Sequence, residues 1–188
     1  AQHADSYTLN ANALAARMFV DLYEYTENHE FSKIATELLT YLADRQAENG
    51  GWEYKDPPSA SHLGMDNYHN GFIIESFLRY QEIIDNDAFV ETVENALTFY
   101  RNVLYNNNGA PCWDEEAIFP RDTHAAAQGI VTFTHAGELD FAKQIIKWTI
   151  ENLYAGNGKF YYQKQKWYTK KFTLMRWCQA WMAYALSE

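Results

Sequence analysis

The chain has 188 residues, a formal net charge of −10, and 47% hydrophobic and 16% aromatic residues, with only four prolines and nine glycines. That is enough apolar material for one domain with a substantial core, and it leaves little scope for disordered linkers. The acidic balance excludes binding to nucleic acid through its phosphates, and without an uncharged apolar run of about 18 residues no membrane span is expected.

The expectation is a soluble, cytoplasmic protein, with no basic-then-apolar leader, whose two cysteines stay reduced. Cys112 falls in a loop and Cys178 in an apolar helix, which does not suggest a disulfide framework. The start without Met, a few residues before a core helix, suggests a piece of something longer.

In chain order, Asn10 and Asn12 open a helix that runs through Leu14, Met18, Leu22 and Tyr25. Phe31, Ile34, Ala35, Leu38, Leu39 and Leu42 then give a second helix one apolar stripe, with Lys33, Glu37, Asp44 and Arg45 opposite. A Gly turn with aromatic residues beyond it follows, Asn49-Gly50-Gly51-Trp52-Glu53-Tyr54, where glycine supplies the left-handed end of a helix. Next comes Met65-Asp66-Asn67-Tyr68-His69-Asn70-Gly71-Phe72, a polar stretch leading into a helix apolar on two sides through Ile73, Ile74, Phe77, Leu78 and Tyr80. Asp66 stands where a side-chain oxygen caps the free donors of the first turn.

The unit then repeats. A one-striped helix through Phe89, Val93, Ala96, Leu97, Tyr100 and Leu104 leads to Asn108-Gly109-Ala110-Pro111-Cys112-Trp113. Asp122, His124 and Gln128 open another buried helix through Ile130, Val131 and Phe133. A third striped helix carries Ala142, Ile145, Ile146, Thr149 and Leu153 to Asn157-Gly158-Lys159-Phe160-Tyr161-Tyr162, and a last apolar helix follows Phe172 as far as Ser187. The polar openings at positions 10, 66 and 122 stand 56 residues apart, a period typical of helical-pair arrays. The predicted fold is all-α: about seven helices in antiparallel hairpins, two-faced helices forming an inner layer and one-striped helices an outer one, concentric, over a single domain of residues 1–188.

This pattern resembles the α/α-toroid superfamily, in particular its six-hairpin glycosidase-like branch, which includes unsaturated glucuronyl hydrolases, and the helical domain of glucuronyl C5-epimerases. The strings Asp66-Asn67-Tyr68-His69-Asn70-Gly71-Phe72 and Asp122-Thr123-His124-Ala125-Ala126-Ala127-Gln128-Gly129 also resemble proteins of unassigned role associated with surface-polysaccharide gene clusters. The architectural likeness spans the chain, and at this period a closed ring of six hairpins needs nearly twice its length. The resemblance implies a partial toroid with its site at the N-terminal ends of the inner helices, and a carbohydrate-active protein working on an acidic or surface-polysaccharide saccharide.

Inner helices running parallel would bring Asn10, Asn12, Asp66, Tyr68, His69, Asn70, Asp122, His124 and Gln128 to one mouth, where helix dipoles favour an anion such as a uronate. Asp66 and Asp122 are candidate general acid and base, with two N-caps as the plainer reading. His69 and His124 each follow an Asp closely enough for a carboxylate to orient an imidazole for proton transfer, as a hydrolase, lyase or epimerase requires. A histidine merely hydrogen-bonded in a helix cap is the plainer account. Trp52 and Trp113, with Tyr54, Tyr161 and Tyr162, offer flat rings for sugar faces or simply close the hairpins. Arg176 and Gln179, buried by pattern, need partners; Arg176 either pairs with a core acid or holds a substrate carboxylate.

The two Asp/His pairs also suit a divalent metal. The cysteine-containing ligand set of zinc-binding toroids finds no match in spacing, however, so neither metal nor cofactor is expected. Lys164, Lys166, Lys170 and Lys171 form a short basic run, read as a solvated loop that can also attract an anion. The expected partner is a saccharide, anionic by this reasoning, with oligomers compatible and neither nucleic acid nor membrane involved. The alternative is a non-catalytic glycan- or protein-binding partial toroid.

Overall fold

The computed structural model describes residues 6–84 and 86–188. Contacts divide it into two units, one reaching to Phe99 and one starting at Tyr100.

In the first unit α1 (Leu9–Thr26) packs against α2 (His29–Ala43) and α3 (Asn67–Ile83), and α4 (Val90–Val103) begins after them. Strands β1 (Tyr7–Thr8) and β2 (Lys55–Asp56) pair antiparallel, which ties the entrance of α1 to the segment beyond the first Gly turn. The core is Val20, Leu39, Leu42, Trp52, Phe77 and Tyr80, all nearly inaccessible. α3 buries residues all round, from Asn67 and Asn70 to Phe77 and Tyr80, as its two-sided pattern requires. α2 buries only one stripe, Ala35, Leu39 and Leu42.

In the second unit α5 (Thr123–His135) is buried from Thr123 through Phe133 and packs against α6 (Leu139–Leu153) and α7 (Trp181–Ser187). β3 (Arg121–Asp122) pairs with β6 (Gln163–Lys164), and β6 with β7 (Thr169–Lys170). This repeats the tie seen in the first unit, since a strand entering a helix is again held by the segment after the next Gly turn. The remaining pair, β4 (Tyr154–Gly156) and β5 (Lys159–Phe160), forms the third Gly turn itself. The core here is aromatic: Tyr105, Phe133 and Phe141 meet edge to face, and the Tyr105 hydroxyl donates to the Ala125 carbonyl at 2.7 Å.

The first two Gly turns do the same work. Gly50 has φ +93°, and a Cβ there would lie 2.4 Å from the Asn95 carbonyl oxygen of α4; Gly109 has φ +81°, and its Cβ would lie 2.5 Å from the Gln144 carbonyl carbon of α6. Each turn abuts the next one-striped helix so closely that only glycine fits.

Three expectations are corrected. The N-cap of α1 is Thr8 rather than Asn10, which lies inside the first turn. α1 is not apolar-buried on two sides: Leu14, Met18 and Tyr25 are exposed. The last helix starts later than its apolar run, with Met175–Ala180 wound as a π-helix that continues into α7, and Phe172, Met175, Trp177 and Leu186 exposed.

A polar latch fastens β2 onto α2. Tyr41 and Arg45 both donate to Asp56 Oδ2, at 2.7 and 2.5 Å. The hydrogen bond from Arg45, then that from Tyr41, holds the Asp56 carboxyl below its usual range. A depressed folded-state pKa stabilises the fold above the ordinary carboxylate value, and that stabilisation is lost as the pH falls through the lowered one. We therefore expect Arg45→Met to cost less than about 1 kcal/mol at neutral pH, because the pair is partly exposed. The difference in melting temperature between the variant and the parent should shrink as the pH is taken below about 4; a difference independent of pH would show that Arg45 acts through packing alone.

Candidate functional site

The site with the clearest chemistry lies in the first unit, at the N-terminus of α3. Asp66 is its N-cap: Oδ1 accepts from the His69 backbone N–H at 3.1 Å, while Oδ2 meets His69 Nδ1 at 2.8 Å. The carboxylate is 6% exposed, so it is held in place by these two bonds and by the positive end of α3. A carboxylate only accepts, so the contact is donated by Nδ1–H, and Nε2 is the ring nitrogen turned away from Asp66. That nitrogen makes no hydrogen bond among the described residues, and about a fifth of the side chain is exposed, at 21%.

The imidazole is held between two rings. Tyr54 lies 4.7 Å from it, tilted, and Tyr68 4.8 Å, edge on; Tyr54 meets His62 at 5.1 Å, and Tyr68 meets Phe72 at 4.5 Å. A carboxylate-oriented histidine walled by partly exposed aromatic residues is an arrangement that can move a proton at a sugar stacked against the rings. Sequence reasoning missed His62, which sits in a polar loop with no periodicity to single it out.

Asn70 and Trp52, expected as substrate contacts, are turned inward. Asn70 Oδ1 accepts from the Trp52 backbone N–H at 2.8 Å, and its Nδ2 donates to the carbonyls of Trp52 and Asp66, both at 3.0 Å. Trp52 is 1% exposed, stacks on Phe77 and donates from Nε1 to the Leu42 carbonyl, which leaves no face for a sugar. The pair fixes the aromatic segment over the helix end instead. Asn10 is half-buried in α1, its Oδ1 enclosed and without a hydrogen bond among the described residues.

In the second unit Asp122 is the N-cap of α5 and accepts from the Ala125 N–H at 2.6 Å. The Tyr162 hydroxyl is pushed to higher pKa by burial first and then by the Asp122 carboxylate, so that carboxylate lies near a phenol. His124 is 4% exposed, with Trp177 at 4.9 Å and Trp181 at 4.8 Å, and is closed off by those rings. Gln128 is fully buried and donates to Thr132 Oγ1 at 3.2 Å within the same helix. Trp113 remains half-buried in its loop, with its backbone N–H on the Ala117 carbonyl.

Arg176, expected inside, is exposed and lies over the Trp177 ring at 4.8 Å, whereas Gln179 finds its partners in the backbone N–H and carbonyl of Phe160. The buried arginine is Arg121. It is 7% exposed, donates to the Pro111 carbonyl at 3.0 Å, and its pKa is pushed down by burial. Cys112 and Cys178 are free buried thiols whose pKa burial raises.

No protein-family model and no curated protein sequence matches the chain. Solved structures do. A cellobiose 2-epimerase from Spirochaeta thermophila superposes with a TM-score of 0.73 at 13% identity, over 88% of this chain and 49% of its own. A D-mannose isomerase does so with 0.70 at 16%, over 87% and 46%. An unsaturated glucuronyl hydrolase from Bacillus sp. GL1, responsible for degradation of glycosaminoglycan, gives 0.69 at 14%, over 96% and 58%. The fold is that of about half of an α/α toroid. At such identities the likeness establishes the fold alone, and the chain spans about half the length of these toroids. Among the described residues of this toroid chain, no helix is long and apolar enough to cross a membrane.

Proposed function

We propose that this toroid chain acts on an acidic saccharide by general acid/base chemistry, with His69 as the group that moves the proton and Asp66 as the group that orients it. The observation that carries the reading is the 2.8 Å contact between Asp66 Oδ2 and His69 Nδ1, which directs a basic Nε2 away from the carboxylate at a partly exposed position. The flanking Tyr54 and Tyr68 rings suit the apolar face of a pyranose. Three solved structures of the same fold bear names of reactions on sugars, one of them on an unsaturated glucuronyl group, which supports a saccharide and favours a uronate. Proton transfer by a positioned side chain contributes about 10²- to 10⁴-fold to rate, enough to make His69 decisive for turnover.

The test is a panel of saccharides incubated with the purified chain in D2O: unsaturated glucuronyl disaccharides, saturated uronate oligosaccharides, and neutral reducing sugars. Proton NMR reads deuterium incorporation and new anomeric signals, while ultraviolet absorbance follows loss of the unsaturated uronate. Turnover confined to the acidic members and lost in His69→Ala is the expected result. Binding without turnover, unchanged in His69→Ala, would replace this reading with a glycan-binding module, and no binding to any saccharide would end it.

A further inference from the structure

We infer that the hairpin of β6 and β7 is a binding platform for a polymeric acidic saccharide, with its rings under the sugar faces and its lysines on the carboxylates. The hairpin is firmly built. Its turn is closed by the Gln165 backbone N–H on the Tyr168 carbonyl at 2.7 Å, and its ladder is extended by the Tyr162 N–H on the Phe172 carbonyl at 2.9 Å. Gln163 Oε1 accepts from Lys170 Nζ at 3.0 Å and from Gln165 Nε2 at 3.2 Å, while Lys164 Nζ reaches Asn152 Oδ1 of α6 at 2.8 Å. What this frame holds out to solvent is aromatic: Trp167 is 85% exposed, Tyr168 62% and Phe172 51%. Indole rings are mostly buried in folded proteins, and three bare rings on one short hairpin are surface that a ligand can use.

Charge selects the ligand. From Phe160 to Ser187 the chain has five basic side chains, Lys164, Lys166, Lys170, Lys171 and Arg176, and no acidic one, against a net charge of −10 for the whole. Arg17, Arg45, Arg79, Arg101, Lys143 and Lys147 each meet a carboxylate, whereas none of the five does among the described residues. A face meant for apolar packing would not carry unpaired cations, because burying them is costly. Two of these cations lie beside rings instead: Lys166 Nζ is 5.1 Å from the Trp167 centroid and Lys170 Nζ 5.6 Å from that of Tyr162. A pyranose stacked on such a ring, with its carboxylate turned to the adjoining ammonium, satisfies both groups. The pairing occurs twice along the hairpin, which calls for successive acidic units. A nucleic-acid duplex fits less well, since about one phosphate per 1.7 Å of axis would press on the acidic remainder of the chain. Naming a saccharide rests on the function proposed above; the polymer and its platform go beyond it.

The probe is an oligomannuronate, an unsulfated chain of uronate units, titrated into the ¹⁵N-labelled full chain, with a neutral oligomannose and a single-stranded oligothymidylate as comparisons. Saturable shifts of the amides of residues 163–172 and of the Trp167 indole N–H are expected with the oligomannuronate and none with the oligomannose. Trp167→Ala should weaken the affinity about tenfold or more, while Trp167→Tyr, which keeps a ring, should retain most of it. Lys166→Ala and Lys170→Ala should each weaken binding and flatten its dependence on salt. The inference falls if the oligomannuronate shifts no hairpin amide, if Trp167→Ala binds as tightly as the parent, or if the oligothymidylate binds as tightly as the uronate. Hairpin shifts that persist in His69→Ala, without turnover of any saccharide by the parent, would leave the platform standing and remove the catalytic reading. Turnover without hairpin shifts would do the reverse.

Discussion

His69→Ala is expected to lower kcat/KM on the saccharide turned over by the parent by about 10²- to 10⁴-fold, with little change in melting temperature. The imidazole is partly exposed, and its one side-chain hydrogen bond is to Asp66 Oδ2, so truncation removes a reacting nitrogen while the cap survives through the backbone N–H to Oδ1. Asp66→Asn separates the two duties of the carboxylate. Asparagine caps a helix as well as aspartate does, so stability should hold; but an amide cannot match a carboxylate in keeping the proton on Nδ1 or in stabilising an imidazolium. A drop in kcat of at least about tenfold, with KM little changed, is the expected signature of a positioning partner. Equal activity in Asp66→Asn and the parent would reduce Asp66 to a cap. Unaltered activity in His69→Ala would remove the histidine from the mechanism.

The second large effect concerns stability. Asn70→Ala is expected to cost about 3 kcal/mol, because it removes three hydrogen bonds and leaves the Trp52 N–H and carbonyl buried and unpaired. For a chain of this size that corresponds to a fall in melting temperature of roughly 6–12 °C. Asn70→Asp is the informative companion. It keeps an acceptor for the Trp52 N–H but sets a charge against the carbonyls of Trp52 and Asp66, so it should be no better tolerated than alanine. Trp52 fluorescence would report the loosening directly, since the indole packs on Phe77 and donates to Leu42. A loss below about 1 kcal/mol in Asn70→Ala would mean that the segment is held by the core packing of Trp52 alone.

The two experiments separate residues that the sequence places in one cluster. Asp66, His69 and Asn70 lie within a single helical turn and share the chemistry of a polar crown. Only the direction of each side chain distinguishes them: His69 lies at the partly exposed end of α3, and Asn70 reaches back to the preceding segment. Tyr54 and Trp52 show the same contrast. They are two residues apart, a spacing that a regular strand would turn to the same side, but the chain is irregular at Trp52 and bends at Tyr54, and one ring meets Phe77 while the other meets His69.

Much of the architecture follows from local patterning. The 56-residue recurrence, the alternation of two-faced with one-striped helices, and the Asn-Gly turns are all periodic properties of the chain, and periodicity is what hydrophobic burial acts on. The structure shows α3 and α5 buried nearly all round and α2 and α6 buried along one stripe. Asp66 and Asp122 are N-caps as their positions predict, because a cap depends only on its own turn. The sequence failed where burial depends on a neighbour. The apolar residues of α1 and of the last helix read as fully buried, yet Leu14, Met18, Met175 and Leu186 are exposed, since the pattern records that a face is apolar without saying what covers it. Arg176, expected inside, is exposed for the same reason: a side chain's solvent access is a property of the elements packed around it, and no spacing along one helix encodes it.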